Sequence, residues 1–323
     1  MKAAVCTGYG PPDVLQVTDV EKPVPNDNEV LIRVRAASVN PLDVHVRRGT
    51  PYILRMLFGL RRPKDPRLGR DVAGWVEAVG RDVTRFKPGD EVFGACRGAF
   101  AEYACASESN VVVKSDKVTF EQAASVPVAA LTALQALRDK GQIQPGQKIL
   151  INGAAGGVGT FAVQIAKSFG APATGVCSTR NVNMVRSIGA DRVIDYTQED
   201  FTKSGQRYDL IFDCVGNHSL LALRRLLNPR GTYIAVGAPP HGRWIGPLGR
   251  LLKTLVLSWF VSPRLVLFLA RIRSEDLTIM RELMEAGKVT PVIDRSYSLS
   301  EVREAIGYLE EGHARGKVVI TVA

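Results

Sequence analysis

The chain has 323 residues, 46% of them hydrophobic, and a formal charge of +10 from 42 Lys and Arg against 32 Asp and Glu. That apolar content excludes a disordered chain, and the length suffices for about two domains with real cores. Five cysteines with no CxxC spacing exclude a disulfide framework and read as buried or loop thiols of a reducing cytoplasm.

Residues 1–5 open as a strand and carry no cleavable apolar core. The first 120 residues are rich in Val, Gly and Pro, and short alternating runs at 29–36, 72–79, 91–93 and 100–104 predict a partly open β-barrel. A helix is predicted from Thr119, where Gln122 completes a capping box, and it runs on into a second domain. There the pattern changes to strand 148–152, helix to about 169, strand 173–177, helix to about 189, and strands 192–195, 208–214 and 232–236. Such alternation predicts a parallel, doubly wound sheet, an α/β architecture whose ligands sit at the carboxyl ends of the strands.

Residues 154–164 read AAGGVGTFAVQ directly after Ile149, Leu150 and Ile151. Gly156, Gly157 and Gly159 leave room for a pyrophosphate, and the helix start at Ala155, Gly156, Gly157 and Val158 offers unpaired N–H groups and a positive dipole end. An NAD-selecting unit places Asp or Glu roughly 20 residues after the glycines. Ser178, Thr179 and Arg180 stand there instead, with Tyr196 after the third strand. Hydroxyls and a guanidinium suit a 2′-phosphate, so NADPH is the expected cofactor.

The span 239–273 holds Arg243, Arg250, Lys253, Arg264, Arg271 and Arg273 with no acid, and its apolar residues recur at helical spacing before 265–269. No run in it reaches the ~20 apolar residues that cross a bilayer. Three readings stand: a wall over the substrate, a dimer contact, or an interfacial helix on anionic lipid. A second basic segment occupies 55–70. From about Ser274 come two capped helices, the second capped by Ser298 with Glu301, and a last strand at 318–322. This tail is expected to return to the barrel and leave a cleft between the domains.

Seven segments carry a family resemblance: SVNPLDVHVRRG (38–49), LGRDVAGWVEAVG (68–80), KPGDEVFG (87–94), PVAALTALQAL (127–137), AAGGVGTFAVQ, SIGADRVIDY (187–196) and GKVVITV (316–322). In this order, and almost end to end, the chain resembles the medium-chain dehydrogenase/reductase superfamily in its zinc-independent, quinone oxidoreductase-like branch. The resemblance implies a GroES-like catalytic domain over 1–125, completed by 270–323, and a Rossmann NADP-binding domain over 126–269. Zinc-dependent members hold their metal with a Cys, a His-Glu pair and a later Cys. Here the first position is Asn40 and the pair is Arg70-Asp71. A structural zinc lobe needs four close cysteines, and only Cys96 and Cys105 fall in that region, so no metal site is expected.

Without a Lewis acid the substrate must already be electrophilic, as quinones and α,β-unsaturated carbonyls are. The resemblance implies Asn40 as a donor to the substrate oxygen or the cofactor ribose, and Tyr52 as a donor to the developing oxyanion. It implies cofactor contacts from Thr132, Val215, Gly216, Val236, Gly237, Ala238 and Lys317. Asp43, His45 and Arg47 alternate along the Asn40 segment and read as structural. The expected protein is a cytoplasmic homodimer, with peripheral contact to an anionic membrane as a further partner. Net charge alone does not make nucleic acid the expected partner, because no recognition motif accompanies it. The competing reading is an NADPH-binding protein of little turnover that uses its basic surface for a membrane, RNA or protein partner.

Overall fold

A computed structural model describes residues 1–52, 54–236 and 264–323. The positions Gly237 and Ala238, and most of the basic apolar span at 239–273, lie outside the described residues. The chain forms two compact units, one of Met1–Leu131, Ile272–Gly287 and Pro291–Ala323, the other of Thr132–Arg271 with Lys288–Thr290.

The first unit is β-rich. Strands β1 (Lys2–Cys6) and β2 (Leu15–Asp19) form an antiparallel pair. The main sheet uses β3 (Glu29–Val39), β4 (Asp71–Val79), β5 (Glu91–Ala95), β6 (Tyr103–Ser107) and β7 (Val111–Val113). Helix α1 (Pro41–Arg48) and the short α2 (Leu54–Phe58) connect β3 to β4. Val30, Ile32 and Val34 face one core with Val72, Val76 and Val92, while Arg33 and Arg35 point outward. That is the period-2 alternation of a sheet with one buried face. The sixth strand is displaced from the predicted 100–104 to 103–107, and it pairs with β3.

The predicted helix from Thr119 breaks. The Thr119 and Gln122 capping box forms, but α3 (Phe120–Ala124) stops at Ser125 and α4 (Pro127–Gln135) begins afresh. Proline at position 127 has no N–H to continue the first helix and is well placed to start the second.

Among the described residues the second unit holds a six-stranded parallel sheet. Its strands are β8 (Ile149–Asn152), β9 (Ala173–Cys177), β10 (Arg192–Asp195), β11 (Tyr208–Asp213), β12 (Leu227–Ala235) and β13 (Arg264–Leu267), in spatial order β10-β9-β8-β11-β12-β13. Helices α5 (Gly157–Ser168), α6 (Val182–Ser187) and α7 (Leu220–Arg225) lie between them in the chain. The helix expected after β9 is split, a 3-10 turn at Thr179–Asn181 preceding α6. Residues 264–267, read from sequence as the end of the basic apolar span, are instead the outermost strand, in parallel register with Thr232 to Ala235. Backbone pairing to a strand edge decides this, and side-chain spacing does not report it.

The tail belongs to the first unit. Helix α8 (Ser274–Glu285) starts without the expected side-chain cap, with Glu275 and Asp276 in its first turn instead. Strand β14 (Ile293–Ser298) leads through the Ser298 and Glu301 capping box to α9 (Val302–Glu310), and β15 (Lys317–Thr321) then pairs antiparallel with β3. Val302, Ile306, Val318 and Ile320 complete the β-rich core. No described helix is long and apolar enough to cross a membrane.

Candidate functional site

In the parallel sheet, the strand order reverses between β8 and β11, which opens a crevice at their carboxyl ends. Gly153 to Gly156 turn out of β8, and α5 starts at Gly157 with Gly156 as its N-cap. The first-turn N–H groups, those of Gly157 and Val158 among them, have no intrahelical carbonyl to bond. Gly156, Gly157 and Val158 are half-buried and Ala155 is buried, so the turn presents its backbone. Gly159 is needed for another reason: a Cβ there would lie 2.1 Å from the Gly153 carbonyl oxygen and 2.8 Å from the Ala154 Cα. Only glycine lets the helix pack this closely on the turn.

Across the crevice the structure adds a residue that sequence reading passed over. Asp213, fully buried at the end of β11, accepts hydrogen bonds on Oδ1 from Asn152 Nδ2 (2.9 Å), Val215 N (3.0 Å) and Gly216 N (2.8 Å). Its Oδ2 accepts from the Tyr233 hydroxyl at 2.7 Å. Asn152 Nδ2 also donates to Asn217 Oδ1 at 2.9 Å. One carboxylate thus ties the ends of β8, β11 and β12 and shapes the loop bearing Val215 and Gly216. Its sequence context, FDCVG, shows only an acid closing an apolar strand just before a glycine. Val236 follows β12 directly, half-buried.

The outer strands bring together the residues read as selective for a 2′-phosphate. Tyr196 N donates to Cys177 O at 3.0 Å, which sets Tyr196 beside the β9 end that carries Ser178 and Arg180. Arg180 and Tyr196 are exposed and Ser178 half-buried. An acid missed in the sequence, Asp195, also lies here. Hydrogen bonds from the Thr179 side chain first, then from Thr197, hold its carboxyl below the usual carboxylate range. Its Oδ1 thereby serves the turn.

In the β-rich unit, the Asn40 segment is the hub of a buried polar cluster. Asn40 caps α1, and Asp43 Oδ2, three residues on, accepts its N–H at 2.8 Å. The Asn40 side chain is drawn elsewhere: Nδ2 donates to Asp71 Oδ2 (2.8 Å) and Ser38 O (3.3 Å), while Oδ1 accepts from Lys317 Nζ (2.7 Å). Lys317 Nζ also donates to Val39 O (3.1 Å) and approaches Asp71 Oδ2 at 3.4 Å. Asp71 further accepts from Ser38 Oγ at 2.7 Å and, through Oδ1, from Val128 N at 2.9 Å in the first turn of α4. All these side chains are at most 3% exposed.

Burial raises the Asp43 carboxyl to about 7, against its bond from Asn40 N, and the Asp71 charge adds to the rise. Burial lowers the Lys317 ammonium, with Asp71 and Asp43 opposing. The expectation that Lys317 reaches the cofactor therefore meets an ammonium already engaged by three oxygens inside the β-rich unit. The Asn40 amide, expected to serve a substrate, has both ends engaged in the same way. The physical reason is burial: an ammonium and a carboxylate out of water must find each other and every nearby polar partner.

Tyr52 is half-buried, with the Arg55 guanidinium 4.6 Å from its ring centroid and equally 4.6 Å from that of Tyr9. Thr132 is half-buried on α4. Burial pushes the thiols of Cys6, Cys105 and Cys177 to about 11 and that of Cys96 to about 12, and raises Cys214 as well. None is a thiolate nucleophile near neutrality. Among the described residues no group of three or more His, Cys, Asp or Glu side chains is placed to hold a metal ion.

A glycine turn at the switch point of a parallel sheet, joined in sequence to a β-rich unit, defines a two-domain dinucleotide-binding protein. Residues 26–116 match the alcohol dehydrogenase GroES-like domain and residues 188–320 the zinc-binding dehydrogenase family. The chain is 39% identical to the mitochondrial NAD(P)H oxidoreductase RTN4IP1 of Mus musculus, over 100% of this chain and 89% of that protein. It superposes on the quinone oxidoreductase from Coxiella burnetii with a TM-score of 0.88 at 33% identity, covering 100% of this chain and 99% of the other. The Escherichia coli quinone oxidoreductase complexed with NADPH matches with a TM-score of 0.82 at 25% identity, over 99% and 100% of the two chains. The chain belongs to the medium-chain dehydrogenase/reductase superfamily, in its quinone oxidoreductase-like branch.

Proposed function

We propose that this protein is an NADPH-dependent, zinc-independent oxidoreductase that reduces a quinone or an α,β-unsaturated carbonyl. The observation that carries the reading is the Asn40, Asp71 and Lys317 cluster, in which Asn40 and Asp71 occupy positions that match the metal site of zinc-dependent relatives. This donor set does not fit zinc. The Asp71 carboxylate and the Asn40 amide oxygen both already face the Lys317 ammonium, and that positive charge would oppose a dication. With no metal to stabilise an alkoxide, the acceptor is one whose reduced anion is delocalised. The names of the relatives, NAD(P)H oxidoreductase and quinone oxidoreductase, support the same class.

The dinucleotide, when bound, supplies the hydride. The chain's own residues do the rest. The α5 N-terminus and the backbone from Ala155 to Val158 take the pyrophosphate, and Ser178, Arg180 and Tyr196 take the 2′-phosphate. Asp213 shapes the loop whose Val215 and Gly216 would hold the nicotinamide ribose, and Val236 and Thr132 would add further contacts. Tyr52, its ring held under Arg55, donates to the developing oxyanion. Asn40 and Lys317 act through the others: they hold Asp71, which bonds the first turn of α4.

The test is NADPH consumption by the purified chain across a panel of quinones and enones, before and after prolonged chelation. Turnover that chelation leaves unchanged is the expected result. Loss of turnover on removing a stoichiometric zinc would sink the metal-free reading. Cofactor binding without turnover across the panel would favour the binding-protein reading instead.

A further inference from the structure

Residues 44–64 contain Arg47, Arg48, Arg55, Arg61, Arg62 and Lys64 and no acid. Arg47 and Arg48 share Glu310 as their carboxylate partner, and Arg55 is turned inward, stacked on Tyr9 and Tyr52 with its Nε on Gly49 O at 2.9 Å. Arg61, Arg62 and Lys64 are left exposed, and no described ion pair takes them up. The adjacent Asp65 is engaged by the Arg67 guanidinium through two bonds of 3.1 and 3.2 Å. Beside these cations stand two large apolar side chains, Met56 and Leu60, each 71% exposed.

The exposure is built into the turn. Gly59 N donates to Arg55 O (2.8 Å), Lys64 N to Phe58 O (2.6 Å), and the Tyr9 hydroxyl to Gly59 O (2.6 Å). Gly59 sits at φ +124°, where a Cβ would meet Arg62 O at 2.1 Å. The backbone therefore closes only with glycine, and it closes with Leu60 facing out.

We infer that this turn is a contact site for an anionic lipid bilayer, into whose interface Met56 and Leu60 insert while Arg61, Arg62 and Lys64 meet the headgroups. The chemistry selects this occupant over the others. Two apolar tips are far short of the roughly 800 Å² that each partner buries in a stable protein interface. They have no use against the phosphates of a nucleic acid, whereas exposed apolar side chains next in the chain to three exposed cations are what an interfacial anchor needs. The inference stands on the turn alone and does not depend on the proposed activity.

The experiment is vesicle co-sedimentation of the full chain with phosphatidylcholine alone and with phosphatidylcholine carrying 40% phosphatidylglycerol (about that fraction suffices to make the surface strongly anionic). Binding to the anionic vesicles only, weakened by salt, is expected. R61Q/R62Q/K64Q should weaken it about 100-fold, from about fivefold per cation. M56S/L60S should weaken it about tenfold or more, with unchanged circular dichroism and melting in both variants. Equal binding to neutral vesicles, or unaltered binding by the charge variant, overturns the inference. So does a duplex oligonucleotide that binds more tightly than the vesicles and ignores M56S/L60S, or self-association that M56S/L60S abolishes while vesicles bind neither form.

Discussion

Replacing Lys317 by Met removes the only ammonium in the buried cluster while keeping the length of the side chain. Asp71 is then a fully buried carboxylate without a countercharge, though it retains donors in Ser38 Oγ, Asn40 Nδ2 and Val128 N. Orphaning one member of a buried pair costs about 3–5 kcal/mol, and the three remaining donors place this case near the lower end, at about 3 kcal/mol. At about 2–4 °C per kcal/mol for a unit of this size, the Tm of the β-rich unit should fall by about 6–12 °C. The assay is thermal melting of wild type, Lys317→Met, Asp71→Asn and the double variant. The double variant should be less damaged than the sum of the singles by about 1–3 kcal/mol, because losing the carboxylate removes the reason the lost ammonium matters. A Tm shift under about 2 °C for Lys317→Met, or strict additivity in the cycle, would refute the reasoning that this pair is one unit.

The Asp43 carboxyl, raised from its ordinary 3.8 to about 7 by burial, holds its proton more tightly folded than unfolded. Stability from this group is complete below 3.8 and is lost as pH rises towards 7, so Asp43→Asn should abolish that part of the decline in Tm between these limits. Arg180→Ala should erase most of an NADPH-over-NADH preference of about 5- to 150-fold, read as the ratio of the two dissociation constants; equal constants in the wild type would defeat the argument. Gly159→Ala drives a methyl into the Gly153 carbonyl oxygen and Ala154 Cα, both backbone atoms that cannot swing away. It should cost about 2 kcal/mol or more of stability and most of the dinucleotide affinity, checked by melting and by NADPH titration.

Local patterns determined much of this protein by themselves. The alternation of short apolar runs with helices foretold a parallel sheet, and the run from Ala154 to Gln164 located its glycine turn, because a strand, a tight turn and a helix start are each set by neighbouring residues. The capping boxes at Thr119 and Ser298 were legible for the same reason, since their partners lie three residues apart. Strand β13 was not legible, because what makes 264–267 a strand is its pairing with residues 232–235. Nor were the two polar centres. Asn40, Asp71 and Lys317 are 31 and 246 residues apart along the chain, and no spacing rule announces that burial will force an amide, a carboxylate and an ammonium onto one another. Asp213 likewise looks like an ordinary strand end until Asn152, Val215, Gly216 and Tyr233 close around it. Sequence names the residues able to do the chemistry, but desolvation acts only once distant segments meet, and that meeting decides which of them remain available for it.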